Sequence, residues 1–215
     1  NITETLFLLC LLTVNQIAFS QDGDFNIIFC QDFENTPVGK YDLSQWGKDW
    51  NYPDGGKKSA QRTIIVEYNS GGRTSRGMKW TFPEKSYSVT SDDGYYWRTP
   101  IGETLEECYL SFSIMFKPGF FVSGCGKIPG VQGTPPKGDR PEWDEGFGGS
   151  LMFKYNKYDA NHPPMPTFYA FHQDQELTVG DSPRWNGYTF DVSKDIWYDI
   201  TYRVVMNTAT ATAIG

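Results

Sequence analysis

Histidine is scarce in this sequence, with only His162 and His172 among 215 residues. A serine or cysteine triad needs a base beside its nucleophile, so few triads are possible. Gly-x-Ser-x-Gly, Cys-x-x-Cys and clusters of histidine with cysteine are all absent. These absences argue against a serine hydrolase and a structural zinc site. We expect no metal and no other cofactor.

Basic residues are also in the minority. The 19 lysines and arginines face 26 acidic residues, which gives a formal net charge of −7. A nucleic-acid-binding protein normally carries a basic surface, so we expect no nucleic acid as a partner. Aromatic residues, in contrast, are plentiful at 16% of the chain, which excludes a disordered protein.

Long hydrophobic runs are missing. The longest stretch, Leu6 to Leu12, continues loosely to Ala18 and is shorter than the roughly 20 apolar residues of a membrane-spanning helix. Ala18-Phe19-Ser20 then offers small residues at the positions that a signal peptidase requires. We therefore predict a signal peptide at residues 1–20, a secreted domain at residues 21–215, and no membrane attachment after cleavage.

Few cysteines remain once this leader is removed, namely Cys30, Cys108 and Cys125. An exported protein with three cysteines is expected to have one disulfide and one odd thiol. Because Cys30 and Cys108 both lie on strand-like segments, we expect these two to pair.

Strand patterns, in contrast, occur almost everywhere, and no segment shows a helical apolar period longer than three turns. Alternation over residues 109–117 is the longest of these patterns. Many short strands between turn-forming clusters predict an antiparallel sandwich or barrel. We also expect a monomer, and a domain that continues beyond residue 215, since the strand at 197–206 needs a partner. The other strands are predicted at 25–29, 63–68, 77–82, 151–155, 167–172 and 188–192.

Carboxylates occur together in Glu142-Trp143-Asp144-Glu145. This run approaches the Glu-x-Asp-x-x-Glu pattern of sandwich glycoside hydrolases, but Phe147 occupies the last acidic position. The run lies in a Gly/Pro-rich stretch, whereas a two-carboxylate hydrolase needs both groups about 5 Å apart on a rigid element. A solvated acidic loop is the better interpretation.

Two further segments carry candidate catalytic groups, one a lysine and the other a tyrosine. Gly126-Lys127-Ile128-Pro129-Gly130 predicts a tight turn that presents one cation, and Phe168-Tyr169-Ala170-Phe171-His172 predicts a strand. From spacing alone, Lys127 would be a solvated turn lysine and Tyr169 a core residue.

The order of several segments resembles the alginate and glucuronan lyases of polysaccharide lyase families 14 and 20. The resemblance rests on residues 109–117, 126–130, 149–153, 169–172, 197–200 and 203–207. It implies a β-jelly roll, a concanavalin A-like sandwich, whose concave sheet holds the polymer. It also implies cleavage of a uronate polymer by β-elimination, with an anionic polysaccharide as the partner.

The same resemblance assigns site residues. The family's turn lysine maps onto Lys127, and the first tyrosine of its Tyr-x-Tyr strand maps onto Tyr169. Lys127 would offset charge on the substrate, Tyr169 would act as base and then acid, and His172 would be the reserve base. The expected substrate-binding residues are Arg140, Ser150, Lys154, Phe171, Arg184 and Trp185.

Two alternatives stay open. The family's second strand tyrosine falls on Phe171, and its Ser-x-Arg falls on Gly148 and Ser150. A non-catalytic carbohydrate-binding jelly roll would fit these losses of polar groups. A sandwich glycoside hydrolase would require two carboxylates that face each other across the groove.

Overall fold

Antiparallel strand pairing builds the protein, which confirms the predicted all-β class. The structure is a computed structural model that describes residues 6–8, 13–21, 24–70, 73–82, 95–102, 105–118, 125–133, 148–154, 165–171 and 195–205. In chain order the elements are β1 (Leu6–Leu8), β2 (Thr13–Gln21), β3 (Asp24–Gln31), β4 (Gly39–Lys40), α1 (Leu43–Asp49), α2 (Lys57–Arg62), β5 (Ile64–Ser70), β6 (Arg73–Phe82), β7 (Glu107–Met115), β8 (Cys125–Gln132), β9 (Gly148–Lys154), β10 (Met165–Phe171) and β11 (Trp197–Val205).

The chain divides into two units. Unit 1 comprises residues 1–120 and 194–215, and unit 2 comprises residues 121–193. Unit 1 contains two four-stranded sheets, with the orders β1-β6-β5-β4 and β11-β7-β2-β3, and unit 2 contains a three-stranded sheet, β10-β9-β8. No helix in the described part of the chain has the length and apolar character that a bilayer crossing requires.

Strand β7 shows how the sequence forms a sheet with two different faces. Cys108, Leu110, Phe112 and Ile114 are buried, while the residues between them are partly exposed. The exposed face carries polar pairs across to β11, including a hydrogen bond from Ser113 Oγ to the Asp199 carboxylate. Alternation of period two therefore separates an apolar face from a polar one.

The two sheets of unit 1 pack on each other near Met115. Val66 and Tyr68 of β5 and Trp197 of β11 pack against this buried side chain. The Tyr68 and Trp197 rings lie 4.7 Å apart between centroids. This packing makes unit 1 a two-layered structure.

The short helix α1 adds an aromatic layer that the sequence did not predict. Asp42 caps its N-terminus by accepting hydrogen bonds from the backbone N–H groups of Ser44 and Gln45. Trp46 and Trp50, four residues apart, then share one face, and both are buried. Trp97 packs edge-on against both of their rings.

A network of hydrogen bonds surrounds Asp49, the last residue of this helix. The Tyr41 hydroxyl donates to Asp49 Oδ2 at 2.7 Å and accepts a hydrogen bond from Trp50 Nε1 at 3.1 Å. Thr36 and Gln45 also donate to the Asp49 carboxylate. Burial, followed by the hydrogen bond to Asp49, raises the pKa of Tyr41 far above its ordinary value.

Much of the predicted signal peptide is paired in the structure. Residues 6–8 form β1, and residues 13–21 form β2, which lies between β3 and β7. The register of β2 shifts at Val14/Gln16 against β7 and twice more against β3. Cleavage before Gln21 stays a prediction, and it would leave β3 and β7 without the strand that lies between them.

The expected disulfide between Cys30 and Cys108 is wrong, since both thiols are free. Cys30 lies on β3 and Cys108 on β7, and β2 separates these strands. Strands two positions apart are roughly 9–10 Å from each other. A disulfide needs Cα atoms within about 7 Å, so this strand order prevents the bond.

Replacement of Gly56 should destabilise the fold more than an ordinary glycine replacement. Gly56 has φ +77°, and a Cβ there would lie 2.3 Å from the Tyr96 carbonyl oxygen and 2.4 Å from Trp97 Cβ. We expect Gly56→Ala to cost about 3–5 kcal/mol, from left-handed strain and overpacking together. The measurement is urea unfolding.

Gly102→Ala is the matched control, because Gly102 has φ +74° and an added Cβ would meet no heavy atom within 4 Å. This variant should lose only about 1–2 kcal/mol of stability, the cost of a left-handed backbone at a residue with a Cβ. Equal losses in the two variants would show that the contact with residues 96 and 97 is not tight.

The Tyr41 network should make stability fall at high pH. Unfolded tyrosine loses its proton near pH 10, whereas folded Tyr41 keeps it, so rising pH favours the unfolded chain. We expect wild-type stability above about pH 10 to fall more steeply than that of Tyr41→Phe, by up to about 1.4 kcal/mol per pH unit.

At neutral pH, Tyr41→Phe should cost about 1–3 kcal/mol, because Trp50 Nε1 and Asp49 each lose a partner. Chemical unfolding at a series of pH values measures both effects, with Tyr52→Phe at an exposed position as the control that should keep wild-type stability at neutral pH. Parallel pH curves for wild type and Tyr41→Phe would contradict the assignment.

Candidate functional site

The three-stranded sheet of unit 2 carries five of the nine predicted site residues. Strand β9 is central, and it pairs antiparallel with β8 on one side and β10 on the other. Met152 of β9 is opposite Lys127 of β8 and also opposite Thr167 of β10. Ser150, two residues before Met152, is opposite Tyr169. Directly opposed residues share a face of the sheet, so Lys127 and Tyr169 belong to the same face.

The side chains of Lys127 and Tyr169 meet on this face. Lys127 Nζ lies over the Tyr169 ring, 4.5 Å from its centroid. At this distance an ammonium is attracted by the negative face of the ring. Lys127 is exposed and Tyr169 is half-buried, while Ile128, the next residue of β8, is buried. The pair therefore lies on an accessible face that combines a cation with a phenol.

A β-bulge sets the direction of Lys127. Lys127 is opposite Met152 and Gly130 is opposite Ser150. Three residue steps along β8 therefore lie opposite two steps along β9. Pro129 lies inside this irregular step, where its missing N–H costs no ladder hydrogen bond. The prediction of a tight turn at residues 126–130 is therefore wrong, because the glycine and proline signals mark a bulge within a strand. Bulges redirect the side chains beside them.

Three further predicted residues belong to the same face by their backbone positions. Ser150 and Lys154 alternate with Met152 along β9, and Phe171 follows Tyr169 by two residues on β10 and is opposite Gly148. The register thus brings Lys127, Tyr169, Ser150, Lys154 and Phe171 to one face, although these positions are spread over more than 40 residues of sequence, from 127 to 171.

Thr167 is a site candidate that the sequence reasoning missed. It is opposite Met152, and its half-buried side chain lies one alternation step from Tyr169. The same period of two that groups Tyr169 with Phe171 also groups Tyr169 with Thr167, so the signal was present in the sequence.

The remaining predicted residues lie outside the described part of the chain, namely Arg140, His172, Arg184 and Trp185. The acidic run at residues 142–145 lies there too. Among the residues that the structure describes, no three histidine, cysteine or acidic side chains are grouped closely enough to hold a metal ion.

Comparison with known proteins gives one informative match. No family model matches the chain, and no curated protein does. A solved structure described as that of the alginate lyase Aly36B superposes with a TM-score of 0.52 at 19% sequence identity. The match covers 83% of this chain and 68% of the other.

The chain is similar in fold to an alginate lyase. At 19% identity this likeness concerns the architecture and assigns no residue. It supports the jelly-roll type that the sequence resemblance implied, and it carries no information on the roles of Lys127 and Tyr169.

Proposed function

We propose that this protein is a polysaccharide lyase that cleaves a uronate-containing polymer, such as alginate or glucuronan, by β-elimination. The observation that carries the proposal is the contact of the Lys127 ammonium with the Tyr169 ring on an accessible sheet face. The fold, similar to that of an alginate lyase, provides the second support.

The chemistry explains why a cation and a phenol suit this reaction. β-Elimination removes the C5 proton beside the uronate carboxylate, breaks the C4–O4 bond and forms a C4=C5 double bond. The leaving O4 takes up a proton and becomes a hydroxyl. Removal of the C5 proton places a second negative charge next to a carboxylate, so the transition state needs a nearby positive group.

Lys127 supplies that positive group in the proposed mechanism. Its ammonium binds the uronate carboxylate, and this interaction becomes stronger as negative charge develops. One well-placed donor of this kind stabilises the transition state by about 3 kcal/mol. Tyr169 begins as a phenolate: its oxygen accepts the C5 proton, and the hydroxyl so formed donates that proton to O4, which restores the phenolate. Each transfer contributes about 10²–10⁴-fold. His172 is retained as the reserve base. Arg140, Ser150, Lys154, Phe171, Arg184 and Trp185 are retained as substrate-binding residues.

The proposal includes export through the predicted leader. The apolar run at residues 6–12 and the small residues Ala18 and Ser20 support it. We expect the protein recovered from the medium of a secreting host to begin at Gln21, as read by N-terminal sequencing. An intact residue 13–21 segment in that exported protein would contradict cleavage.

Substitution of the two site residues tests the catalytic proposal. We expect Lys127→Ala to lower kcat/KM on the preferred uronate polymer by about 10²–10³-fold. Tyr169→Phe, which removes only the hydroxyl, should lower it by about 10²–10⁴-fold. The ultraviolet absorbance of unsaturated uronate ends measures the rate.

Lys40→Ala and Tyr68→Phe are the matched controls, since both residues lie in unit 1. They should keep the wild-type rate, and circular dichroism should show that all four variants are folded. Full activity in Lys127→Ala or Tyr169→Phe would remove these residues from the mechanism.

A non-catalytic carbohydrate-binding jelly roll is the second candidate. Phe171 has no hydroxyl where the resembled family has its second tyrosine, and this observation favours it. Retardation of the protein in a gel that contains alginate, with no unsaturated product from any uronate polymer, would decide for binding without turnover.

A further inference from the structure

Two tyrosines in unit 1 that the proposed reaction does not use have exposed side chains. Tyr52 is 74% exposed and Tyr96 is 43% exposed. The segments that carry them are neighbours, since Asp54 pairs with Arg98 through the backbone and the Asn51 side chain donates to the Pro100 carbonyl.

The backbone holds Tyr52 outward at a conformational cost. At the end of α1, the N–H of Asn51 donates to the Lys48 carbonyl and the N–H of Tyr52 donates to the Gly47 carbonyl. This pair of hydrogen bonds is a Schellman motif, which requires a left-handed residue only at Asn51. Tyr52 is left-handed as well, with φ +52° directly before Pro53, where extended backbone is preferred.

Strain of this kind is unfavourable and is concentrated at functional positions. Here it displays an aromatic ring. The ring lies beside Gly47, where an added Cβ would be at ordinary contact distance, 3.5 Å from Tyr52 Cδ1.

Tyr96 is held beside the same loop by backbone pairing. Asp54 and Arg98 exchange two backbone hydrogen bonds of 2.9 and 3.0 Å. The N–H of Tyr96 donates to Ser59 Oγ at 3.0 Å. The Tyr96 ring lies against Gly55, as the Tyr52 ring lies against Gly47. Hydrogen bonds therefore hold the backbone of both tyrosines in place, which leaves little backbone entropy to lose on binding.

Basic side chains lie on the same two segments as these rings. The Arg98 guanidinium lies 5.5 Å from the Tyr96 ring centroid, and Lys57 and Lys58 are exposed in the first turn of α2. Residues 51–62 and 95–102 hold four basic residues and one acid, Asp54, in a chain with net charge −7. Lysines in the first turn oppose the helix dipole, so stability of α2 does not explain them.

We propose that Tyr52, Tyr96, Lys57, Lys58 and Arg98, here called the Tyr52–Tyr96 surface, bind an anionic polysaccharide. Tyrosine rings offer an apolar face to the C–H face of a sugar, with a polar hydroxyl at the edge. The exposed lysines match the carboxylates of a uronate polymer, while Arg98, which forms an ion pair with Asp54 at 3.6 Å, places its guanidinium beside the Tyr96 ring. The choice of polysaccharide among anionic polymers rests on the proposed function, whereas the site itself lies in unit 1, apart in sequence from Lys127 and Tyr169.

Affinity electrophoresis in gels with and without alginate tests this inference. The variants are Tyr52→Gly with Tyr96→Ala, and Lys57→Glu alone. Glycine readily adopts φ +52°, so Tyr52→Gly removes the ring and relieves strain together. We expect the double variant to bind alginate about tenfold more weakly, and Lys57→Glu about threefold more weakly with a reduced dependence on salt.

Controls match each change. Lys40→Glu reverses one exposed lysine elsewhere in unit 1, and Ile27→Ala with Val205→Ala removes two exposed apolar side chains. These variants should bind as the wild type does. Every variant is also prepared with Lys127→Ala, so that cleavage of the gel polymer cannot change the retardation.

The outcomes separate this inference from the proposed function. Loss of alginate binding in the tyrosine double variant, in a protein that cleaves no uronate polymer, would support the surface and overturn the lyase. Wild-type binding in that variant, alongside normal cleavage, would overturn the surface alone. Stronger retardation by single-stranded RNA or polyglutamate than by alginate would also overturn the assignment to polysaccharide.

Discussion

The register of β9 is the constraint on which the candidate site depends. Because β9 is paired on both sides, its alternation decides which residues of β8 and β10 share a face. A slip of one residue between β9 and β10 would move Tyr169 to the other face, away from Lys127. The bulge at residues 128–129 is part of the same constraint, since it shifts the register between Lys127 and Gly130. The contact at 4.5 Å is thus a consequence of backbone pairing across three strands.

In unit 1, aromatic side chains pack around a short helix and hold it in place. Trp50 contacts Phe29 of β3, Phe33 and Trp97, and its indole N–H is satisfied by Tyr41. A helix of seven residues has little intrinsic stability, so tertiary contacts must hold it. These contacts fix the end of α1, and with it the strained turn at Asn51 and Tyr52. The exposed tyrosines therefore lie on a backbone that the core determines.

The features that could be predicted from the sequence are those that depend on residues close together in the chain. The alternation in residues 109–117 predicted β7 to within two residues at each end, and other predicted strands match β3, β5, β6, β9, β10 and β11. Strands β1, β2, β4 and β8 were not predicted, and the strand predicted at 188–192 lies outside the described part of the chain. The helix α1 was missed although Asp42 followed by Gln45 is a recognisable capping pattern. The cysteine pairing failed for a different reason. Whether Cys30 and Cys108 are neighbours depends on β2 lying between their strands, and strand order is a property of the whole sheet.

The residues proposed for the site came from a resemblance, and their geometry came from the structure. Resemblance selected Lys127 and Tyr169, and no local pattern relates residues 42 positions apart. Both this pair and the Arg98–Tyr96 pair place a cation over a tyrosine ring, at 4.5 and 5.5 Å. An acidic sugar presents a carboxylate beside an apolar ring face, so a cation joined to an aromatic ring matches both of its chemical features. Binding needs no more than this match. Elimination also requires a base that reaches the C5 proton, and for that reason the phenolic oxygen of Tyr169, rather than its ring, distinguishes a lyase from a binding surface.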